Sequence, residues 1–258
     1  MSRAQFRVYA VRYGQREGRR GEHFHGYDDR SDEAHATAYF VWLAISVEHT
    51  VVVDTGMRRQ RARQLDGLRY VAPTTALAEL DVVPEAVDHV VLTHLHYDHA
   101  GGADQFPRAQ YVLQQSELDY WTGPEAKRIA REHWLVDQAA LAHLRAAAAA
   151  GRMRLIDGDA AVVPGLTVHR VGGHTAGLQV ARVRTARGHV VLASDAALFY
   201  ENIEDDRPFG VVHAMPDVYT AFDRVRALAD DPRLVVAGHD PLVLERYPTV
   251  SDRVALIA

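Results

Sequence analysis

The sequence predicts an α/β fold built as two sheets with helices outside them. Three observations carry that expectation. Apolar, β-branched runs open the chain, and helical stretches separate later groups of such runs. No GxGxxG or Walker-type glycine loop follows any of them, so a doubly wound nucleotide-binding sheet has no local support.

Taken in order, residues 6–13 alternate loosely as a strand, and residues 14–36 lose all periodicity. Two apolar runs follow at 39–47 and 50–53; Glu48 and His49 between them give a hairpin. The second run ends in Asp54-Thr55-Gly56, a polar turn at the end of a buried strand. Residues 74–80 read as a short helix, Pro84 opens a turn, and 87–93 (VDHVVLT) is apolar enough for an interior strand. Residues 110–113 resemble a further strand, and Ser116 is placed to cap a helix with Asp119 three residues on. Residues 125–150 form the one long helical stretch, closed by an alanine run and Gly151. Between 152 and 194 lie four short strand-like pieces with turns at Asp157-Gly158, Pro164-Gly165, Gly172-Gly173 and Arg187-Gly188. An amphipathic helix at 216–229 and a buried strand at 234–237 complete the pattern. No linker-like composition shift divides the chain, so residues 1–258 are expected to form a single domain.

Composition narrows the function classes. The 258 residues include 15 histidines and no cysteine, which excludes disulfides, cysteine-ligated zinc and a thiol nucleophile. Any soft-metal chemistry must run on histidine and carboxylate. A net charge of −5 gives no basic surplus for a nucleic-acid face. No window approaches an apolar membrane span, and residues 1–10 lack the apolar stretch of a signal peptide, so a cytoplasmic protein is expected.

The segment 93–102 reads THLHYDHAGG and places His94, His96, Asp98 and His99 within six positions. His94 and His96 lie two apart just past a strand, so extended backbone points them the same way. Asp98 and His99 are adjacent and diverge, which suits a second, neighbouring ion. Gly101 and Gly102 then let the chain turn sharply beside the site. Four such groups would be costly to bury without a cation. Further donors emerge from apolar runs at His174, Asp195 and His239. Each alone is more often a turn former or a hydrogen-bonded surface residue. The cluster changes their reading, and a carboxylate such as Asp195 has two oxygens with which to bridge two ions.

With these motifs on the page, the chain resembles the metallo-β-lactamase superfamily, from about Tyr39 to His239. His94-x-His96-x-Asp98-His99 matches its signature; Asp54, His174, Asp195 and His239 match its other motifs in order. The resemblance implies an αβ/βα sandwich of two mixed β-sheets with a centre of two Zn²⁺ ions. It assigns His94, His96 and His174 to one ion, and Asp98, His99 and His239 to the other. Asp195 bridges the ions, and Asp54 holds the ligand loop without touching metal. A metal-bridging hydroxide then attacks the substrate, with Asp98 orienting it and passing a proton.

Several features point within the superfamily. His96 stands where the redox branch has glutamate, and no cysteine is available for the second site of many β-lactamases. Only 19 residues follow His239, too few for the helical domain of glyoxalase II-like thioesterases. The chain is most similar to the N-acyl homoserine lactonase group, in length, in the His174-Thr175 and Ser194-Asp195 motifs, and in Gly238-His239-Asp240-Pro241. That similarity implies hydrolytic opening of a small lactone by a monomer or homodimer, with a thioesterase or β-lactam hydrolase as the alternative. The group commonly has a carbonyl-binding tyrosine three residues past the bridging aspartate; here Leu198 stands there and Tyr200 is the nearest phenol. Tyr200 from a shifted loop, the metal alone, or a different lactone would each account for the change. Residues 14–36, with His23, Phe24, His25 and Tyr27, read as a lid, an oligomer contact or a solvated loop. Trp121, Phe209 and His213 either line a pocket or pack.

Overall fold

The computed structural model describes residues 5–258, leaving the first four residues of the N-terminal stretch outside it. Its strands are β1 (Arg7–Arg16), β2 (Thr37–Ile45), β3 (Thr50–Val53), β4 (Arg69–Tyr70), β5 (His89–Val91), β6 (Gln110–Gln114) and β7 (Met153–Ile156). They continue as β8 (Ala160–Val163), β9 (Leu166–Arg170), β10 (Gln179–Thr185), β11 (Gly188–Ser194), β12 (Val235–Ala237), β13 (Thr249–Ser251) and β14 (Val254–Leu256).

Two sheets result. One runs β13-β14-β1-β2-β3-β5-β6-β7, with β4 beside β1; the other runs β12-β11-β10-β9-β8. Both are mixed: β3, β5, β6 and β7 pair in parallel, as do β11 and β12, and the remaining pairs are antiparallel.

β2 shows why its run reads as almost continuously apolar. Phe40, Trp42 and Ala44 face the core between the sheets, against Val168, Ala181, Val183 and Leu192. The alternate residues Tyr39, Val41 and Leu43 face the outer layer, shared with Leu144 and Ala147 of the helix Gln138–Ala149. A strand covered on both faces loses its polar alternation. On the far side of the second sheet, Val180, Val191 and Ala193 pack on Val218, Phe222 and Val225 of the helix Met215–Leu228. The order is helix, sheet, sheet, helix, the expected αβ/βα sandwich.

Three expectations are corrected. Residues 125–150 are not one helix: 3-10 turns span Pro124–Lys127 and Ala130–Leu135, and the α-helix starts only at Gln138. The 125–137 segment carries no sustained apolar stripe, and Asp137 accepts from Ala140 N to cap a fresh start. Ser116 caps nothing; the helix Gln115–Thr122 begins one residue earlier, after Gln114, and the Ser116 hydroxyl is buried without a partner. The 152–194 region holds five strands, because four turns separate five pieces. The last strands, β13 and β14, close the first sheet by pairing β14 with β1.

Candidate metal centre

The predicted donors meet along one sandwich edge, where strands end. Asp54 follows β3, His94 lies just past β5, Asp195 follows β11, His239 follows β12, and His174 sits between β9 and β10. Two donor sets converge there: His94, His96, His174 and Asp195 in one, Asp98, His99 and His239 in the other. Asp195 faces both. Its Oδ2 lies 3.1 Å from His174 Nε2, and its Oδ1 lies 3.1 Å from both His99 Nε2 and His239 Nε2.

The hydrogen bonds behind the rings decide what these nitrogens offer. His239 Nδ1 donates to Ala38 O at 2.8 Å, and His174 Nδ1 donates to Val211 O at 2.8 Å. A neutral imidazole with one nitrogen donating presents a lone pair on the other. His99 Nδ1 is likewise held by Asp54 Oδ2 at 2.7 Å. Yet His99 Nε2 and His239 Nε2 face each other at 3.2 Å, and His174 Nε2 faces His96 Nδ1 at 3.0 Å. His94 Nε2 and Asp195 Oδ1 are buried with no hydrogen-bond partner at all. Lone pairs collected around carboxylate oxygens, away from water, repel unless a positive charge lies among them. The donor set therefore fits two divalent cations, and a set of imidazoles with carboxylates and no thiolate suits a borderline ion.

Electrostatics agree. Burial, reinforced by neighbouring imidazoles, pushes His94 and His96 well below the usual histidine range, which keeps them neutral ligands. At His99 and His239 burial acts in the same sense, but Asp195 and Asp98 outweigh it and raise both. The second set thus draws positive charge toward itself.

The supporting residues are equally fixed. Asp54 is fully buried at φ 60° and accepts from Thr93 N at 2.8 Å, Thr93 Oγ1 at 2.8 Å and His99 Nδ1. Such a backbone costs on the order of 1 kcal/mol or more for a non-glycine residue, here offset by its bonds. Gly101 and Gly102 act differently from the expected sharp turn: both have negative φ, and a Cβ on Gly102 would stand 2.5 Å from Thr55 O. Close approach of two loops, not turn geometry, demands glycine there.

Glu117 is a site residue that sequence reasoning missed. Its fully buried carboxylate accepts from Leu95 N at 3.0 Å, between His94 and His96, and from Gly177 N at 2.8 Å, just after His174. Trp121 Nε1 donates to it as well, at 3.0 Å. One side chain thus ties together the loops that carry three of the candidate donors. A buried glutamate in a predicted helix was the available signal, but its partners are distant in sequence.

A cavity of about 150 Å³ opens over the donors, walled by Arg16, His23, Tyr39, Tyr97, Leu198 and Val211 among others. A neighbouring groove of about 420 Å³ is lined by Trp121, Trp134, Leu135, Val212 and His213. Phe209 is buried instead, its ring 5.3 Å from that of His174.

Tyr200 does not reach the cavity. The helix Tyr200–Glu204 starts at this residue, whose N donates to Asp240 Oδ2 at 2.9 Å. Its side chain joins the core between the sheets, with Arg246 3.6 Å from the ring centre. Leu198 and Phe199 line the cavity in its place, so the expected catalytic role of Tyr200 falls.

The loop after β1 is docked through Arg20, His23 and Phe24, although most of its other side chains face solvent. Arg20 holds Glu201 at 2.6 Å and Asp28 at 3.1 Å; Arg207 holds Asp28 at 2.7 Å. Phe24 packs between the two guanidiniums, at 4.6 and 4.7 Å. Gly210 N donates to His23 O, so the loop forms one wall of the cavity with His23 and Phe24 buried, while His25 and Tyr27 face solvent.

A two-sheet sandwich with paired His/Asp donor sets on its edge defines a class: metal-dependent hydrolases with room for two ions. The family model of the metallo-β-lactamase superfamily matches residues 32–239. The chain belongs to that superfamily. It is similar to the N-acyl homoserine lactonase of a Bacillus species, 31% identical over 233 residues and covering 83% of each chain. The N-acyl homoserine lactonase of Bacillus cereus is 31% identical over 172 residues, a match spanning 66% of this chain and 59% of that relative. A mutant of the Bacillus thuringiensis protein AiiA, with N-decanoyl-L-homoserine bound at its active site, has the same fold. It aligns with a TM-score of 0.77 at 20% identity, over 95% of this chain and 97% of that one. Among the described residues, no helix is long and apolar enough to cross a membrane.

Proposed function

We propose that this metal-dependent hydrolase opens the ring of N-acyl homoserine lactones or related lactones, using two zinc ions. Water adds across the ring ester: the acyl carbon–oxygen bond breaks, leaving a carboxylate and a free hydroxyl. The carrying observation is Asp195, whose Oδ2 lies 3.1 Å from His174 Nε2 of one donor set and whose Oδ1 lies 3.1 Å from His99 Nε2 and His239 Nε2 of the other. When bound, the two cations supply Lewis acidity, making water nucleophilic near neutral pH and drawing charge from the carbonyl. By this reading His94, His96 and His174 would hold one ion and Asp98, His99 and His239 the other, with Asp195 offering an oxygen to each.

The chain's own residues do the rest. Asp98 keeps some exposure to the cavity while its Oδ2 lies 3.7 Å from His99 Nε2 and 3.8 Å from His239 Nε2. It is placed to orient the attacking water and carry a proton to the departing oxygen. Tyr13 steadies it, donating to Asp98 O at 2.6 Å. The groove beside the site offers Trp121, Leu135 and Val212 to an acyl chain. The 31% identity to lactonases supports lactone as the substrate class, and the donor set supports zinc.

The test is a panel of lactones, thioesters and β-lactams run side by side on metal-quantified protein, residues 1–258 being taken as one domain. Lactone turnover should exceed the others. Thioester or β-lactam turnover with no lactone opening would overturn the assignment.

A further inference from the structure

We propose that Tyr39 is a catalytic hydrogen-bond donor in this cavity and that Arg16 positions it. The inference rests on the hydrolase reading above and adds a residue to it.

The cavity walls limit the choice. His96, His174, Asp195, Asp98 and His239 serve the ions, and Leu198, Phe199, Leu135 and Val211 bring no side-chain donor. Trp134 has an indole N–H but is 59% exposed, and Arg16 is committed to Tyr39 and Glu22. His23 Nε2 is engaged with Thr37 Oγ1 at 3.1 Å and His35 O at 3.3 Å. Glu22 accepts only, from Arg19 N and the Arg16 guanidinium. Tyr97 stands on the rim with Arg61 over its ring, and no hydrogen bond fixes its hydroxyl. Tyr39 differs in being held from three sides. Its ring meets that of His239 edge-on, at 5.3 Å and 76°. Tyr13 packs on it at 6.1 Å. Its hydroxyl accepts from Arg16 Nε at 3.3 Å, and Glu22 Oε2 anchors the same guanidinium at 3.0 Å.

Accepting from Arg16 occupies a lone pair of the phenol oxygen and leaves its own O–H free. No protein acceptor takes that hydrogen among the described residues. A buried donor whose direction is set before substrate arrives pays little reorganisation, the property that makes such groups effective where charge develops. Attack on the lactone carbonyl builds negative charge on its oxygen, and that charge returns to the carbonyl when the ring carbon–oxygen bond breaks. Tyr39 donates to that oxygen throughout and transfers no proton. Arg16 acts through Tyr39: its charge polarises the phenol without entering the reaction.

Steady-state kinetics of Y39F, R16Q and the double variant on N-hexanoyl homoserine lactone test this, with metal content and thermal midpoint measured on each. Y39F should lose about 10²-fold in kcat, the scale of one transition-state donor, with KM and metal content close to wild type. R16Q should lose less. Arg16 also lines the cavity, so a direct contact with substrate would add its own loss, whereas a role through Tyr39 alone means that adding R16Q to Y39F costs nothing more. Y39F within threefold of an active wild type, or R16Q losses that add in full, would overturn the proposal. Wild-type protein with both ions and no lactone turnover would instead overturn the hydrolase reading, and this role with it.

Discussion

The two walls of the cavity are built on opposite principles. The metal-side wall is assembled from strand ends and held by neutral or singly charged groups buried from water: Asp54 on Thr93 and His99, and Glu117 on Leu95 and Gly177. The opposite wall, residues 17–36, has little regular structure and is pinned by ion pairs from Arg20 and Arg207 to Asp28 and Glu201. The first wall sets where charge must sit; the second sets the shape of the entrance. A defect in the first should therefore appear in metal binding, and a defect in the second in stability.

The largest effect should come from Asp195→Ala. It removes the one side chain shared by both donor sets, so metal content should fall and lactone opening should be lost beyond the level seen for any supporting residue. Elemental analysis of the purified variant checks this. Retention of two ions would break the contrast between the walls.

Glu117→Gln comes next. The amide replaces one acceptor oxygen with an N–H group that meets a backbone N–H, loosening the loops of His94, His96 and His174 together. Affinity for the first ion should drop about 10–100-fold, the range typical of groups behind metal ligands. Chelator competition should show one ion weakened and the other little changed.

Arg20→Ala should act on the other wall alone. It removes one of the two guanidiniums on Asp28 and on Glu201, while Arg207 stays with both, at 2.7 Å from Asp28 and 3.2 Å from Glu201. The expected cost is about 1 kcal/mol, or about 2–4 °C in thermal midpoint, with metal content unchanged. Loss of metal in this variant would show that the walls are not independent.

The smallest effect concerns pH. Burial, then the neighbouring His35, pushes His23 down from 6.5 to about 4. The folded state binds fewer protons than the unfolded chain between those values. The contribution of His23 is therefore fully present above pH 6.5 and declines as pH falls toward 4. Urea midpoints from pH 7 to 4 should fall less steeply for His23→Gln than for wild type.

What the sequence revealed follows from the range of each interaction. The donors of HxHxDH sit within six residues, and the other candidate donors each follow an apolar strand, so local spacing exposes them. The β2–β3 hairpin was legible for the same reason, with Ile45 facing Thr50 across a short loop. Pairing of β14 with β1 was not, because it joins the two ends of the described chain. Nor were Glu117, whose partner Gly177 is 60 residues away, or the Arg20–Glu201 pair, 181 residues apart. Tyr200 misled because proximity in sequence to Asp195 says nothing about direction, and a helix starting at that residue turned it into the core.

The central claim is that the strand-end donors hold two metal ions and that ring opening depends on both. The most direct measurement strips the protein with a chelator, returns zinc in steps, and follows lactone hydrolysis against bound metal. Activity should be absent in the stripped protein and should rise to its maximum as bound zinc approaches two ions per chain. Full turnover by metal-free protein, or a maximum reached with a single ion bound, would contradict it.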